Sequence, residues 1–391
     1  MRSRSPLSQA RCSVAARKRA IRNVDRPEYT VADLFAGAGG LTEGFRRAGF
    51  QPVVAVEFDR WAARTYSNNF GPHVLACPIE EIEITRVAGG LAWGGRNVDG
   101  DAITLETPEI DVLVGGPPCQ GFSPLGRMND WSFDDPRNRL WRHYMRVLDV
   151  LNPKVFVIEN VPEILKSQEF ERLERHVKKL GRGYQLTFGV LNAAFFGVPQ
   201  NRKRAIIIGS RVGHVTLPPE NFERSTVRDA IGDLSAEPTG RNLHVGRNPQ
   251  ARSLERYKCV PEGGNRFDLM RARPDLAPKC WLRKTTGSTD VFGRMRWDEP
   301  APTIRTEFFK PEKGRYLHPI AHRPITLREA ARIQTFPDEF EFSGSHVQIA
   351  KQIGNAVPVR LAYRIGLHIR TMLLPDGTQA EGKKGEIGVA S

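Results

Sequence analysis

The chain has 391 residues, 40% of them hydrophobic, and a formal net charge of +14. That length is enough for one large domain and one smaller domain, and no apolar run approaches the length that spans a bilayer. The five cysteines are scattered and show neither a C-x-x-C pair nor a histidine at zinc spacing, which argues against a disulfide scaffold or a metal site. The N-terminus lacks the apolar stretch of a secretory signal, so we expect a cytoplasmic protein.

The positive charge is concentrated in two places. Residues 1–24 contain seven Lys or Arg and no acid, and residues 241–284 contain eleven Lys or Arg against four Asp or Glu. Such clusters are typical of a protein that binds a polyanion, most simply nucleic acid. For the N-terminal tail a solvated surface or a transit peptide is the alternative. We expect residues 1–26 and 376–391 to be disordered tails.

Strands and helices alternate along the first half of the chain. The pattern predicts strands at 29–35, 52–56, 74–77, 111–114, 155–158, 185–191 and 205–208. Helices are predicted at 41–48, around 61–66, at 140–151 and at 170–180. This alternation is typical of an α/β protein with a mostly parallel, doubly wound sheet. The glycine-rich stretch 84–109 is predicted to be an insertion on the surface.

Regular periodicity stops after Gly209 and returns late in the chain. Residues 215–300 are rich in proline, glycine and arginine, whereas 327–334 and 358–374 are again helical in pattern. The last helix has an apolar face that needs the early sheet as its core. We therefore expect a catalytic and cofactor-binding domain at 27–214 plus 340–375, and a smaller domain at 215–339.

A glycine-rich turn follows the first strand at residues 33–40. Glycines allow a ligand to approach the backbone, and the next helix presents free N–H groups at its N-terminus. Thr42 stands where the third glycine of a dinucleotide fingerprint would be. Glu57, at the end of the second strand, is placed for ribose hydroxyls, and Phe58 for stacking on adenine. An adenosine-type ligand other than a dinucleotide is indicated.

Reactive side chains follow three later strands. Cys119 comes after an apolar strand and Pro117-Pro118, Glu159 ends the strand at 155–158, and Arg202 and Arg204 precede the strand at 205–208. A nucleophile, an acid and a basic clamp at strand ends indicate an enzyme active site. The alternatives are an inert buried thiol, a helix-capping glutamate and a solvated basic turn.

Six motifs occur in one order along the chain. They are residues 33–40, 116–123, 159–161, 200–204, 328–337 and 352–358. This series resembles the cytosine-5 DNA methyltransferases, which use S-adenosylmethionine, and the resemblance runs from about residue 29 to 373. It implies a Rossmann-like methyltransferase fold, with the smaller domain acting as a target-recognition domain.

The resemblance also implies roles for individual residues. The thiolate of Cys119 adds to carbon 6 of cytosine, Glu159 shares a proton with ring nitrogen 3, and Arg202 and Arg204 favour the thiolate. No candidate is evident for the base that removes the carbon 5 proton, and water is the substitute. The implied cofactor contacts are Phe35, Ala36, Gly37, Gly39, Gly40, Leu41, Glu57, Phe58, Ile79, Pro118, Leu140, Asn355, Ala356 and Val357.

Double-stranded DNA is the implied partner, bound by a monomer that flips the target cytosine out of the helix. The expected DNA contacts are Gln120, Ser123, Arg127, Arg137, Arg283, Lys284 and Thr285. The context that the resemblance implies is a restriction-modification system with an endonuclease acting on the same site, in a prokaryotic cytoplasm and in association with the nucleoid. A solitary methylase is the next reading. The resemblance supplies no recognition sequence.

One position departs from the family pattern. Family members usually carry an acid after the third strand that binds the adenine of the cofactor, and Pro78 stands there in this chain. Glu80 or Glu81 is the candidate substitute, and we expect weaker cofactor binding. An RNA cytosine-5 methyltransferase and a non-catalytic DNA-binding regulator remain alternatives, whereas an oxidoreductase or an amino-methyltransferase lacks a use for these motifs.

Overall fold

The computed structural model describes residues 29–118, 140–179, 183–221, 224–247, 249–283 and 288–373. The strands are β1 Tyr29–Leu34, β2 Phe50–Val56, β3 Val74–Leu75, β4 Glu83–Val87, β5 Gly90–Arg96, β6 Ala102–Thr107, β7 Val112–Gly115, β8 Val155–Asn160, β9 Gln185–Asn192, β10 Gln200–Asn201, β11 Lys203–Ser210, β12 Gly293–Arg294, β13 Ala301–Pro302 and β14 Arg315–Leu317. The α-helices are α1 Gly40–Arg47, α2 Arg60–Phe70, α3 Leu140–Leu151, α4 Gln168–Lys179, α5 Val227–Ile231, α6 Ala251–Lys258, α7 Arg266–Ala272, α8 Lys279–Leu282, α9 Leu327–Ile333, α10 His346–Asn355 and α11 Val359–Leu373.

The central sheet has the strand order β3-β2-β1-β7-β8-β11-β9 within the described residues. The first five strands in that order are parallel, and β11 runs antiparallel to both of its neighbours. Side chains of successive residues enter opposite faces, so Phe156 belongs to one hydrophobic cluster and Val157 to the other. Both faces are therefore covered, and the predicted mostly parallel, doubly wound sheet is confirmed.

The last helix packs on the first. A Cβ added to Gly44 of α1 would lie 2.3 Å from Cβ of Ala362 in α11, which shows how closely the two helices approach. Leu361, Ala362, Ile365 and Ile369 are all fully buried in the cluster formed with β1, β7, β8 and β11. The expectation that the C-terminal helix completes the core of the early sheet is confirmed.

Residues 84–109 lie mostly at the surface, as predicted, but they form regular strands that their poor periodicity did not indicate. Strands β4, β5 and β6 make a three-stranded antiparallel sheet. Leu91 and Trp93 are fully buried in the core, and the indole N–H of Trp93 donates to the Thr107 hydroxyl at 3.1 Å. A Cβ on Gly95 would lie 3.1 Å from Sγ of Cys77, so the glycines allow close packing against the end of β3.

The described residues between β11 and α9 include four short α-helices, α5 to α8. They also include three short strands, of which β12 pairs with β14 and β13 pairs with β10. Two of the helices begin with reciprocal capping boxes, Thr226 with Asp229 and Asn265 with Asp268. A third hydrophobic cluster joins this segment to α9, α10 and the start of α11. The segment thus shares one core with the helices that follow it.

Candidate active site

The glycine-rich turn bends sharply between β1 and α1. Phe35, Gly37 and Gly39 all adopt positive φ, at 58°, 57° and 92°. The N–H of Gly39 donates to the Ala36 carbonyl at 2.9 Å, which closes the turn directly before α1. Left-handed conformations suit glycine but are uncommon for phenylalanine, so Phe35 is a strained position at the mouth of the site.

The turn is in contact with the segment before α11. A Cβ on Gly40 would lie 2.4 Å from the carbonyl oxygen of Val357 and 3.4 Å from Cβ of Ala356. A Cβ on Gly37, by contrast, would meet no atom within 4 Å. The predicted cofactor residues of the turn and of the 355–357 segment are therefore adjacent, and open space lies beside Gly37.

Glu57 holds the turn in place. Its Oε2 accepts from the Gly37 N–H at 2.8 Å, and its Oε1 accepts from the Asp59 N–H at 2.7 Å. Burial raises the pKa of Glu57, and the two backbone donors oppose that rise. Each oxygen retains a lone pair for a further donor such as a ribose hydroxyl. Next to it, the Phe58 side chain is 65% exposed, so its ring is free to stack on a ligand.

The remaining predicted cofactor residues surround the same strand ends. Leu41 is buried in the first turn of α1, and Ile79 is buried at the start of the 3₁₀ helix Ile79–Glu81. Pro118 and Leu140 are half-buried on either side of residues 119–139, and Asn355 is exposed at the end of α10.

The candidate substitutes for the adenine acid, Glu80 and Glu81, lie close to Pro78 in the chain. Pro78 is exposed, and so are Glu80 and Glu81. Glu81 lies 3.8 Å from the Arg96 guanidinium, so an arginine competes for its carboxylate. The Ile79 carbonyl is already occupied by the Arg146 guanidinium at 2.8 Å.

Three strands bring the predicted catalytic motifs to one edge. Because β8 is parallel to β7, Glu159 and Asn160 lie beside the residues that follow β7. The Asn160 side-chain amide donates to the Pro117 carbonyl at 2.9 Å and thereby fixes the backbone that leads to Cys119. Since β11 is antiparallel, its first residues reach the same edge, where Ile206 pairs with Glu159.

Glu159 and Arg204 form an ion pair at that edge. The Arg204 Nε lies 2.8 Å from Oε1 of Glu159, although the N–H is not aligned for a hydrogen bond with that oxygen. A Cβ on Gly116 would lie 3.4 Å from the other oxygen, Oε2. The carboxylate is therefore oriented by a cation on one side and faces the Gly116–Pro117 backbone on the other.

Arg202 has a different environment from Arg204, and the prediction of a two-arginine clamp needs correction. Its side chain is 2% exposed, and its two terminal nitrogens donate to the carbonyls of Ile304 at 3.0 Å and Gly354 at 3.1 Å. Burial lowers the pKa of this guanidinium, and neighbouring Arg204 lowers it further. This guanidinium therefore joins two backbone segments, whereas that of Arg204 pairs with Glu159.

Sequence reasoning missed a buried polar group below the glycine turn. Asp33 is 1% exposed, its Oδ2 accepts from the Thr42 hydroxyl at 2.7 Å, and its Oδ1 has no hydrogen-bond partner within the described ranges. Burial raises the pKa of Asp33 to about 7, and the charge of Glu57 adds to the rise. The signal in the sequence was Thr42 itself, a hydroxyl in place of the fingerprint glycine.

Several predicted site residues lie outside the residues that the structure describes: Cys119, Gln120, Ser123, Arg127, Arg137, Lys284 and Thr285. Arg283, by contrast, is described and is exposed at the end of α8. Within the described ranges no cluster of three or more His, Cys, Asp or Glu side chains could hold a metal ion. None of the helices there is both long and apolar enough to cross a membrane.

The sheet, the glycine turn after its first strand and the acidic and basic groups at the ends of β8 and β11 define a methyltransferase of the Rossmann-like class. Comparison with known proteins identifies the family. The C-5 cytosine-specific DNA methylase family matches residues 29–371. The chain belongs to this family and is a DNA cytosine-5 methyltransferase.

Individual relatives agree over most of the chain. The Type II methyltransferase M1.HphI of Haemophilus parahaemolyticus is 34% identical over 352 residues, which cover 86% of this chain and 85% of the relative. M.PspPI of a Psychrobacter strain is 36% identical over 357 residues, covering 88% and 80%. A candidate DNA modification methyltransferase encoded within an Escherichia coli prophage shares the fold, with a TM-score of 0.65 at 24% identity over 88% of this chain and 99% of that one.

Proposed function

We propose that this methyltransferase transfers the methyl group of S-adenosylmethionine to carbon 5 of a flipped-out cytosine within one short duplex sequence. The observation that carries the proposal is the convergence of Pro117, Glu159 and Arg204 at one sheet edge, beside the glycine turn. The modification half of a restriction-modification system is the context that the Type II relatives support. A cognate endonuclease is then the functional partner.

The residues around the glycine turn fit an adenosine-bearing cofactor. Open space beside Gly37, the exposed ring of Phe58 and the free lone pairs of Glu57 together form a cradle of the right chemistry. Bound there, S-adenosylmethionine supplies an electrophilic methyl group. Asn355, Ala356 and Val357 close the pocket from the side of α10, because their segment touches Gly40.

The chemistry at the sheet edge follows from the types of side chain. The Cys119 thiolate forms a bond to carbon 6 while the Glu159 carboxyl group delivers a proton to ring nitrogen 3, so electron density moves to carbon 5. After carbon 5 has gained its methyl group, the proton on carbon 5 leaves to water. The bond between the Cys119 sulfur and carbon 6 then breaks. Glu159 then recovers its proton and the aromatic ring is restored.

Arg204 and Asn160 support these steps without forming bonds to carbon. The Arg204 guanidinium stabilises and orients the Glu159 carboxylate from 2.8 Å. Asn160 positions the Pro117 backbone and so the approach of the cysteine that follows. Arg202, which was expected to favour the Cys119 thiolate, is reassigned to a positioning residue, because its guanidinium is buried between two backbone carbonyls.

Methyl transfer from labelled S-adenosylmethionine to unmethylated genomic DNA tests the proposal, with bisulfite sequencing of the product. Wild type should methylate cytosines in one short motif, and Cys119→Ser should lose transfer while retaining DNA binding. Cys259→Ser is the matched control, since Cys259 lies at the end of α6, away from the motifs at the sheet edge. Incorporation that persists in Cys119→Ser would remove this cysteine as nucleophile.

The same assay separates the alternatives. Methylation of RNA in preference to duplex DNA would show that the substrate is RNA. A well-folded wild type that binds DNA specifically but transfers no methyl group would favour the non-catalytic regulator.

A further inference from the structure

Arg202 is a buried cation that has no carboxylate partner among the described residues. Its side chain is 2% exposed, and its terminal nitrogens are bound by two backbone carbonyls. Its backbone N–H donates to the Asn192 side chain at 3.1 Å, so the whole residue is fixed in place. Burying a guanidinium against neutral carbonyls carries a desolvation cost. The two carbonyls come from segments that are far apart in the sequence.

The two carbonyls belong to two different segments of the chain. Ile304 lies in the segment between β11 and α9, which we call the proposed recognition segment. It follows Pro302 and Thr303, which line a cavity of about 490 Å³ there. Gly354 is in the last turn of α10, directly before the segment that touches the glycine turn at Gly40. One side chain thus joins the proposed recognition segment to the proposed cofactor pocket.

A second link runs parallel to the first. The Gln200 side chain accepts from the Ile304 N–H at 2.9 Å and donates to Oε1 of Gln334 at 2.8 Å. The Gln334 amide in turn donates to the carbonyls of Ile353 at 2.6 Å and Ala356 at 3.2 Å. Gln200 and Gln334 are each 0% exposed, so these bonds are sheltered from water.

The linked segments also touch directly. A Cβ added to Gly354 would lie 2.5 Å from the backbone carbon of Arg305 and 2.5 Å from the backbone nitrogen of Thr306. Neither segment can therefore shift toward the other without a clash. Closely packed segments with shared hydrogen bonds transmit displacement, because such contacts do not deform continuously.

We infer that Arg202, with Gln200 and Gln334, is the positioning device that couples cofactor binding to DNA binding. Ordering of Asn355–Val357 by the cofactor fixes Ile304 and its neighbours on the DNA side, and DNA binding fixes the cofactor segment in return. The inference rests on the proposed function, since it takes the two sides to be the S-adenosylmethionine pocket and the DNA surface. By linkage the coupling is the same in both directions.

The test is the Kd of S-adenosylhomocysteine, measured by calorimetry without and with a saturating duplex that carries the motif mapped by bisulfite sequencing. We expect DNA to tighten binding about tenfold in wild type. Arg202→Lys, whose single ammonium cannot reach both carbonyls, and Gln334→Met, which keeps the volume but loses the amide donors, should reduce that factor to about one. Arg204→Lys is the matched control. It disturbs the Glu159 pair and lowers kcat, yet it should keep the tenfold factor.

Hydrogen exchange of the wild-type protein tests the link without substitution. S-adenosylhomocysteine should slow exchange of the amides at 304–306, and unchanged exchange there would overturn the inference even if the variants failed to fold. Coupling that survives in a folded Arg202→Lys would overturn it as well. A wild type that methylates DNA but shows no coupling refutes this inference alone, whereas a wild type that binds neither ligand refutes the proposed function.

Discussion

The sheet and the recognition segment are held together by different forces. In the sheet, backbone N–H and carbonyl groups pair between strands, and apolar side chains fill both faces. In the recognition segment few carbonyls belong to regular elements, and arginine side chains bind them instead. Arg294, 2% exposed, donates to the carbonyls of Tyr257, Val260, His318 and Ala321. Buried carbonyls need donors, and a region with little ladder pairing obtains them from side chains.

This difference changes the meaning of the basic composition. Arg256 donates to the Leu276 carbonyl, Arg247 to the Phe309 carbonyl, and Arg315 to the carbonyls of Gly263 and Gly264. Several arginines of the segment thus stabilise its own backbone by hydrogen bonds to carbonyl groups. The number of arginines in this segment therefore overstates how many are free to contact another molecule.

The largest expected effect is on the chemistry at the sheet edge. Glu159→Gln removes the proton carrier at the end of β8, and kcat should fall about 10³-fold. The free energy of unfolding should change little, because glutamine fills the same space. Single-turnover methyl transfer with denaturant unfolding measures both, and Glu171→Gln, an exposed carboxylate in α4, is the control. A kcat within threefold of wild type would contradict the role of Glu159.

The second largest expected effect is a loss of stability when a carbonyl-binding arginine is replaced. Arg294→Met should lower the free energy of unfolding by about 3 kcal/mol, because the buried carbonyls of Tyr257, Val260 and His318 lose their donor at roughly 1 kcal/mol each. Burial lowers the pKa of Arg294 to about 10, so the group is still charged at neutral pH. Urea unfolding measures the loss. Arg296→Lys, at the exposed ion pair with Glu299, should change stability by less than about 0.5 kcal/mol.

A dependence of stability on pH is expected from the buried Asp33 below the glycine turn. Burial raises the pKa of Asp33 from 3.8 to about 7. Between these values the folded protein keeps a proton that the unfolded chain releases, so stability falls as pH rises, by up to about 1.4 kcal/mol per pH unit. Asp33→Asn keeps an acceptor for Thr42 without a charge and should flatten this dependence. Urea unfolding from pH 5 to about 7 measures the free energy of unfolding of wild type and variant. If this free energy changes with pH equally in both, Asp33 is ionised in the folded protein.

The smallest expected effect is on cofactor affinity. Pro78→Asp restores an acceptor after β3, at the N-cap of a 3₁₀ helix where aspartate is favoured. We expect the Kd for S-adenosylmethionine to fall about fivefold, which is roughly 1 kcal/mol. Pro78→Ala is the control, and calorimetry supplies the measurement. A wild-type Kd well below a micromolar, unchanged in Pro78→Asp, would show that the adenine is held by other groups.

The sequence predicted most of the sheet because hydrophobic periodicity reports it directly. Helix α3 was predicted with its observed bounds at 140–151, and the seven strands of the sheet were all located. Periodicity failed in β4–β6, where Gly90, Gly94 and Gly95 hid the alternation of Leu91 and Trp93. It failed again in the recognition segment, whose helices of four to eight residues are too short to show a period.

The sequence predicted which residue types form the candidate site, but not the environment of each side chain. Motif order located Glu159, Arg204 and the glycine turn, and the geometry brings them to neighbouring strand ends. It did not distinguish Arg202 from Arg204, because two arginines in one motif look alike until burial separates them. The capping-box pairs at Thr226 and Asn265 were readable signals that would have located α5 and α7.

The measurement that tests the central claim most directly is a trapping experiment with duplex DNA that carries 5-fluorocytosine at the target position. The fluorine replaces the proton that must leave carbon 5, so the bond between Cys119 and carbon 6 cannot break after methyl transfer. Wild type with S-adenosylmethionine should give a complex that survives denaturation, Cys119→Ser should give none, and Glu159→Gln should form it about 10³-fold more slowly. A wild type that methylates ordinary cytosine yet leaves no trapped complex would contradict covalent catalysis at this sheet edge.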